Sequence, residues 1–161
     1  RLNKVLEDNS FVASKIIKIK SDVLIIFDDS KNKIMFFYDN FSTTPEIKII
    51  DYKDILDVEL CTDGKSRLQG RGMLSAVGAC TFGITGAIIG TVAGDIKVLE
   101  SATSIVVNIQ ISDLQNPLIS IVFLDREVEK SDSDYREAIS NAQNFIATLT
   151  YAKNKAKNTV E

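Results

Sequence analysis

The sequence predicts a mostly β domain, with about seven short antiparallel strands in a barrel or sandwich that one C-terminal amphipathic helix closes. A glycine-rich apolar insert is expected between two of the strands. Three observations predict this. Short runs of β-branched and aromatic residues alternate with turn-forming residues, a single helical repeat of apolar residues occupies the C-terminal part, and no charged residue lies between Arg71 and Asp95. A chain of 161 residues suffices for one domain with one hydrophobic core.

The N-terminal half is predicted to form consecutive strands after a polar lead. Residues 1–10 are that lead, either a short helix or disordered, and residues 11–151 form the predicted domain. Apolar β-forming runs predict strands at residues 11–20, 23–27, 34–38, 47–52 and 55–60. Residues 28–32 are expected to form a hairpin turn, because the adjacent acids Asp28 and Asp29 before Ser-Lys-Asn are more typical of a turn than of a metal pair.

The strand at 55–60 and the strands after the insert show the alternation of a half-buried sheet. In the first, Leu56, Val58 and Leu60 are expected to face the core, with Asp57 and Glu59 in water. Residues 104–112 alternate most cleanly, residues 113–117 form a turn, and residues 118–124 form a buried strand.

A C-terminal helix is predicted to begin near Ser131, which lies three residues before Asp134 in a variant of the capping box. Its apolar face repeats at helical spacing through Tyr135, Ala138, Ile139, Ala142, Phe145, Ile146 and Leu149. Residues 152–161 are basic, lack apolar anchors and are expected to form a flexible tail.

Composition argues against several classes of function. The formal net charge is −3, which gives no broad attraction to nucleic acid. The chain has no histidine, so histidine-based catalysis and histidine-ligated metal sites are excluded. Cys61 and Cys80 are expected to be reduced, as in an intracellular protein. No pair of acids is placed by spacing for catalysis, so we expect no enzyme, metal or cofactor.

The insert, residues 70–94, combines small residues with large apolar ones. Gly86, Gly90 and Gly94 fall at i, i+4 and i+8 on one face of a helix, the spacing of a glycine zipper that lets helices pack closely. The residues expected to make membrane or self-association contacts are Val77, Phe82, Ile84, Ile88 and Ile89, with Lys65, Arg67 and Arg71 as flanking cations.

Several structures remain open for the insert. Its length permits one membrane span, but each large apolar residue contributes only about −0.3 to −0.6 kcal/mol to insertion, so insertion is marginal. The alternatives are two short helices in a hairpin, a glycine-rich loop with apolar residues buried against its own domain, and strands broken by glycine. A phosphate-binding loop is rejected, because neither common glycine-rich nucleotide motif is present.

Three segments resemble bacterial pleckstrin-homology-like (PH-like) and GRAM-type domains of Gram-positive bacteria and their prophages. They are IKIIDYKDILDVEL (47–60), IQISDLQNP (109–117) and AISNAQNFIATLT (138–150). The resemblance covers most of residues 11–151, and relatives carry a glycine-rich apolar segment at this place. It implies a binding or scaffolding module. It does not imply a phosphoinositide site, because that pattern requires Lys and Arg on the first hairpin, taken here as the near-neutral residues 28–33.

The sequence therefore predicts a non-enzymatic PH-like module that uses its insert to associate with a membrane lipid surface or with copies of itself as a homo-oligomer. The alternative is a soluble protein-protein interaction domain in which the insert packs on its own core. Since no signal peptide is visible, we expect a cytoplasmic location that includes the inner face of the cell membrane.

Overall fold

The computed structural model describes residues 1–39, 41, 44–62 and 101–158, together with the backbone of residues 65–66. The insert at residues 70–94 lies outside the described residues. The chain divides into two compact units, one of Arg1–Ile55 with Leu149–Glu161 and the other of Leu56–Thr148.

The first unit contains a four-stranded antiparallel sheet whose strands follow one another in chain order. The helix α1 (Leu2–Asp8) precedes strands β1 (Lys15–Lys20), β2 (Val23–Asp28), β3 (Lys33–Tyr38) and β4 (Glu46–Asp51), and a short 3₁₀ helix (Tyr52–Asp54) ends this part. The turn at residues 28–32 is the expected hairpin, with Asp28 opposite Lys33. Asn32 adopts a positive φ of 54° there, a conformation that asparagine tolerates better than most residues.

Both faces of the two central strands of the first sheet, β2 and β3, are buried. On one face, Ile26, Met35 and Phe37 form a cluster with Phe11, and α1 packs against it through Leu2, Val5 and Leu6. On the other face, the alternating residues Ile25, Ile34 and Phe36 are also inaccessible to solvent. Burial on two faces explains why β2 and β3 are continuous apolar runs rather than alternating ones.

The end of α1 fixes the entry of the chain into the sheet. Phe11 N donates to Leu6 O at 2.7 Å and Ser10 N donates to Glu7 O at 2.9 Å, the two bonds of a Schellman motif. Ser10 has the left-handed conformation that this motif requires, with φ of 51°. Of the two forms predicted for the polar lead at residues 1–10, a short helix or disorder, the structure has the helix, and Leu2, Val5 and Leu6 give it an apolar face.

The second unit contains a sheet in the order β6-β5-β8-β9 and a separate pair formed by β7 and β10. Their bounds are β5 (Ile55–Thr62), β6 (Lys65–Ser66), β7 (Ser101–Ala102), β8 (Ile105–Ile111), β9 (Leu118–Leu124) and β10 (Val128–Glu129). Ile105, Val107, Ile109 and Ile111 are buried as predicted. Within the described residues, β1–β5, β8 and β9 are the long strands, which agrees with the expected seven.

The predicted orientation of side chains on β5 is confirmed for Val58, which is 3% exposed, and is wrong at two other positions. Glu59 is only 1% exposed, although it was expected in water, and Leu56 is 47% exposed, although it was expected in the core. The prediction assumed that one face of this strand meets solvent, but Cys61, on the same face as Glu59, is buried as well. Cys61 is also disulfide-bonded rather than reduced, a state that the sequence positions of two cysteines do not determine.

The helix α2 (Ser133–Asn158) begins at a different cap from the predicted one. Asp132 Oδ1 accepts a hydrogen bond from Asp134 N at 3.1 Å, and Asp132 O accepts the bond from Arg136 N. Asp132 is therefore the N-cap residue. The pKa of its carboxyl is lowered, chiefly by the hydrogen bond from Asp134 N. Ser131 Oγ instead donates to Glu129 Oε2 at 3.3 Å.

The apolar face of α2 is longer than predicted. Tyr135, Ala138, Ala142, Phe145 and Leu149 are buried, whereas Ile139 and Ile146 are half-buried at the edge of the face. The helix continues through residue 152, where a flexible tail was expected, and the same face continues with buried Ala152 and Ala156. Alanine is small enough to pack closely, so its burial leaves little hydrophobic signal in the sequence.

Candidate interaction surfaces

The residues that the sequence analysis assigns to association lie outside the described part of the chain. These are Val77, Phe82, Ile84, Gly86, Ile88, Ile89, Gly90 and Gly94, together with the flanking Arg67 and Arg71. The third flanking cation, Lys65, lies in β6, where its backbone pairs with Thr62 of β5. The proposed association contacts therefore remain a prediction.

The described strands nevertheless show how the long strands before and after the insert are arranged. β5 ends at Thr62 and β8 begins at Ile105, yet β5 and β8 are neighbours in one sheet. This confirms the expectation that strands on both sides of the insert belong to the same sheet. Because β5 and β8 are hydrogen-bonded neighbours, no strand lies between them in the sheet.

The β2–β3 turn is organised by the buried carboxylate of Asp28. Its Oδ1 accepts hydrogen bonds from Ser30 N at 3.1 Å, Ser30 Oγ at 2.5 Å and Lys31 N at 3.1 Å. Its Oδ2 accepts a bond from Val12 N at 2.8 Å. Burial alone raises the pKa of Asp28, but these hydrogen bonds and the charge of Lys31 hold it below its usual value. Asp28 therefore acts as an ionised turn residue.

The other charges of this turn are engaged within the first unit. Asp29 Oδ2 is 2.8 Å from Lys155 Nζ of α2, and Lys155 Nζ also donates to Asp29 O at 2.7 Å. Lys31 Nζ donates to Ser10 O, and Lys33 Nζ lies 3.5 Å from Asp51 Oδ1. The turn at 28–33 thus combines charges that its own unit compensates, as the near-neutral composition suggested.

Two tyrosines complete this cluster around Asp29. The hydroxyls of Tyr52 and Tyr151 are each 3.5 Å from an Asp29 carboxylate oxygen. Tyr52 is buried, and burial followed by the charge of Asp29 raises the pKa of its hydroxyl strongly, so it stays protonated at neutral pH. The cluster is thus a structural tie that fixes the C-terminal turns of α2 to the β2–β3 hairpin.

The hairpin that comes first in the structure is β1–β2, not the turn at 28–33. The phosphoinositide pattern was therefore judged on the wrong hairpin, residues 28–33 instead of β1–β2. β1 carries Lys15, Lys18 and Lys20, and beside them Val12 and Ile16 are 59% and 48% exposed. This edge is not among the sites predicted from the sequence. The pattern Lys-Ile-Ile-Lys-Ile-Lys at residues 15–20 is the signal that could have identified it, since lysines are typical of exposed edge strands.

The second sheet carries a polar row across three strands. Asn108 Nδ2 donates to Cys61 Sγ at 3.3 Å, and Ser120 Oγ donates to Asn108 Oδ1 at 2.7 Å. The row joins β5, β8 and β9 on the face that also holds the buried Glu59. These side-chain hydrogen bonds link the three strands across one face of the sheet.

Two other kinds of site would need features that residues 1–39, 41, 44–62 and 101–158 lack. Within those ranges, no three His, Cys, Asp or Glu side chains are grouped so that they could hold a metal ion. In the same ranges, neither helix combines the length and hydrophobicity needed to cross a bilayer.

The strand order, the C-terminal helix and the position of the insert define a PH-like domain, a class that in general binds rather than catalyses. The comparison with protein families identifies the particular one. Residues 10–125 match the family described as glycine zipper containing PH domain, and the chain belongs to this family. Neither a curated protein nor a solved structure matches the chain.

Proposed function

We propose that this protein is a non-catalytic scaffold, of bacterial or prophage origin, that associates with a membrane or with copies of itself through residues 70–94. The observation that carries the proposal is the neighbour relation of β5 and β8. The sheet is continuous across the point where the chain departs, so the uncharged residues between Arg71 and Asp95 are not required to supply its strands.

The spacing of small residues supports the same function. Gly86, Gly90 and Gly94 place a glycine on one helical face at each turn, and such faces allow helix backbones to approach closely. The match to a family defined by a glycine zipper within a PH domain supports assigning this role to the segment.

The β1 edge supports the membrane form of the proposal. Lys15 and Lys18 are exposed next to the exposed apolar side chains of Val12 and Ile16. Basic residues near an anionic membrane surface contribute about 1 kcal/mol each, and exposed apolar side chains add burial in the interface. This edge would hold the domain against the membrane that the insert contacts.

Replacing Gly86 and Gly90 with leucine tests the insert. We expect this double variant to lose membrane association, self-association or both, because leucine blocks close packing on the zipper face. The matched control is Thr81→Leu with Thr85→Leu, which adds similar apolar bulk outside the 86/90/94 face. Size-exclusion mass and membrane fractionation are the measurements, and unchanged behaviour of the glycine variant in both contradicts the proposal.

Replacing Lys18 with glutamate tests the β1 edge. We expect weaker flotation with vesicles that contain phosphatidylserine, and a smaller effect on vesicles of phosphatidylcholine alone. Lys157→Glu makes the same charge change at another exposed position of the first unit. Equal losses in both variants would mean that net charge, rather than the β1 edge, governs binding.

A second function, a soluble protein-protein interaction domain whose insert packs on its own core, is favoured by one observation. Glu59 and Cys61 are 1% and 3% exposed on the strand that leads toward the insert. A monomeric mass and solubility without detergent, unchanged in the glycine variant, would support this function instead.

A further inference from the structure

β9 is an edge strand with an unusual composition. It is the last strand of its sheet, and β8 is its one strand neighbour within the described residues. Leu118–Leu124 has the sequence LISIVFL and contains no charged residue. Edge strands of monomeric proteins commonly carry lysine, proline or a bulge that prevents pairing with another chain. β1 has lysines and an irregularity between Lys18 and Lys20, whereas β9 has no charge and its one register shift against β8 lies beyond Val122, between Val122 and Leu124.

The hydrogen-bond register shows which backbone groups of β9 point away from the sheet. Ile111 N donates to Pro117 O at 2.9 Å, and Ile109 lies opposite Ile119. In an antiparallel pair, hydrogen-bonded residues alternate with residues whose N–H and C=O point outward. Ile119 and Ile121 of β9 therefore bond to β8, and Leu118, Ser120 and Val122, which precede the register shift, direct their backbone groups toward the edge that no other described strand occupies.

The outward residues are suited to pairing with an identical strand. Leu118 is 47% exposed, Ser120 is exposed and Val122 is half-buried. With a twofold axis at Ser120, Leu118 would lie opposite Val122 of the second copy, and the two Ser120 residues would lie opposite each other. Every outward N–H would then meet an outward C=O, apolar side chains would meet apolar ones, and no charge would meet a like charge.

We propose that β9 pairs with β9 of a second copy of this chain in an antiparallel, twofold-symmetric arrangement centred on Ser120. The partner is a second copy because the outward edge is complementary to itself, as an isologous contact requires. This surface is distinct from residues 70–94, so the inference goes beyond the proposed function and does not depend on it.

The first experiment places a charge at the twofold axis. Ser120→Lys would bring two lysines together, and we expect the dissociation constant of the dimer to rise at least about tenfold. Gln115→Lys adds the same charge at an exposed position of the β8–β9 loop and should leave the dimer intact. Sedimentation equilibrium of the full chain measures the mass, and thermal unfolding followed by circular dichroism checks that both variants are folded.

The second experiment retains the size of the side chain. Ser120→Cys would place two thiols across the axis at a Cα separation that a disulfide can bridge, so mild oxidation should give a covalent dimer on a non-reducing gel. Gln115→Cys should give much less. A wild-type chain that stays monomeric, an S120K variant that dimerises normally, or equal cross-linking of S120C and Q115C would each overturn the proposal. Loss of assembly in the Gly86/Gly90 variant, with S120K unaffected, would assign assembly to the insert instead.

Discussion

Two hairpin turns of this protein begin with an aspartate, and they differ in what that aspartate holds. At β2–β3, Asp28 is fully buried and accepts bonds from its own turn and from Val12, which lies 16 residues earlier. At β8–β9, Asp113 Oδ1 accepts bonds from Gln115 N and Asn116 N at 2.9 and 3.2 Å, close to solvent. An aspartate at the start of the turn therefore joins distant parts of the chain in β2–β3, whereas in β8–β9 these bonds stay within the turn.

The largest expected effect on stability is at Asp28, because its carboxylate is buried. Asp28→Asn keeps the shape but removes the charge that several donors point toward, and we expect a loss of about 2 kcal/mol in the free energy of unfolding. Asp22→Asn, an exposed change in the β1–β2 turn, is the control and should cost much less. Urea unfolding measures both, and similar losses would show that burial of Asp28 does not matter.

The pH dependence of stability sharpens this expectation. The folded-state pKa of Asp28 is lowered, so its contribution is fully present above the unfolded value near 3.9. It is lost as the pH falls through the folded value, because the native state must then take up a proton. The stability difference between wild type and Asp28→Asn should therefore be constant from about pH 7 to pH 5 and shrink at lower pH. A difference that grows on acidification would contradict this.

Sequence reasoning predicted both turns but could not separate them. The composition of residues 28–32 and 113–117 indicates a turn in each case, because the required bonds lie within a few residues. The bond between Asp28 and Val12 depends on how β1 and β2 pair, which local composition does not encode. The same limit explains β5, where the alternation was visible but the burial of Glu59 and Cys61 was not.

The candidate site shows a similar division. Glycine spacing identified the zipper segment, and the family comparison supports that assignment. The lysine-rich β1 edge was missed because the turn at 28–33 was taken as the first hairpin. The pairing of β1 with β2, which makes β1–β2 the first hairpin, is not visible in the local composition. The uncharged β9 was predicted as a buried strand, since a run of apolar residues does not show whether a strand is central or at an edge.

A middle-sized effect is expected for the tie between α2 and the β2–β3 turn. Lys155→Met removes the ion pair with Asp29 but keeps much of the apolar stem. The two side chains are 30% and 38% exposed, so solvent screening limits the loss to roughly 0.5–1 kcal/mol. Lys157→Met is the control in the same helical turn. The loss should shrink in high salt, and a salt-independent loss would point to packing rather than charge.

The smallest effect on stability is expected at Asp113 of the β8–β9 turn. Asp113→Asn retains a side-chain oxygen that can accept from Gln115 N, and water can bond to whatever the amide leaves free. We expect a loss of about 0.5 kcal/mol or less, because the half-buried Asp113 bears less of the desolvation cost that makes a fully buried group sensitive. Asp113→Ala removes the acceptor and should cost somewhat more than the asparagine variant. If Asp113→Asn instead lost as much free energy of unfolding as Asp28→Asn, the distinction between the two turns would fail. The bonds within each turn, rather than the bond from Val12 N to Asp28, would then account for both losses.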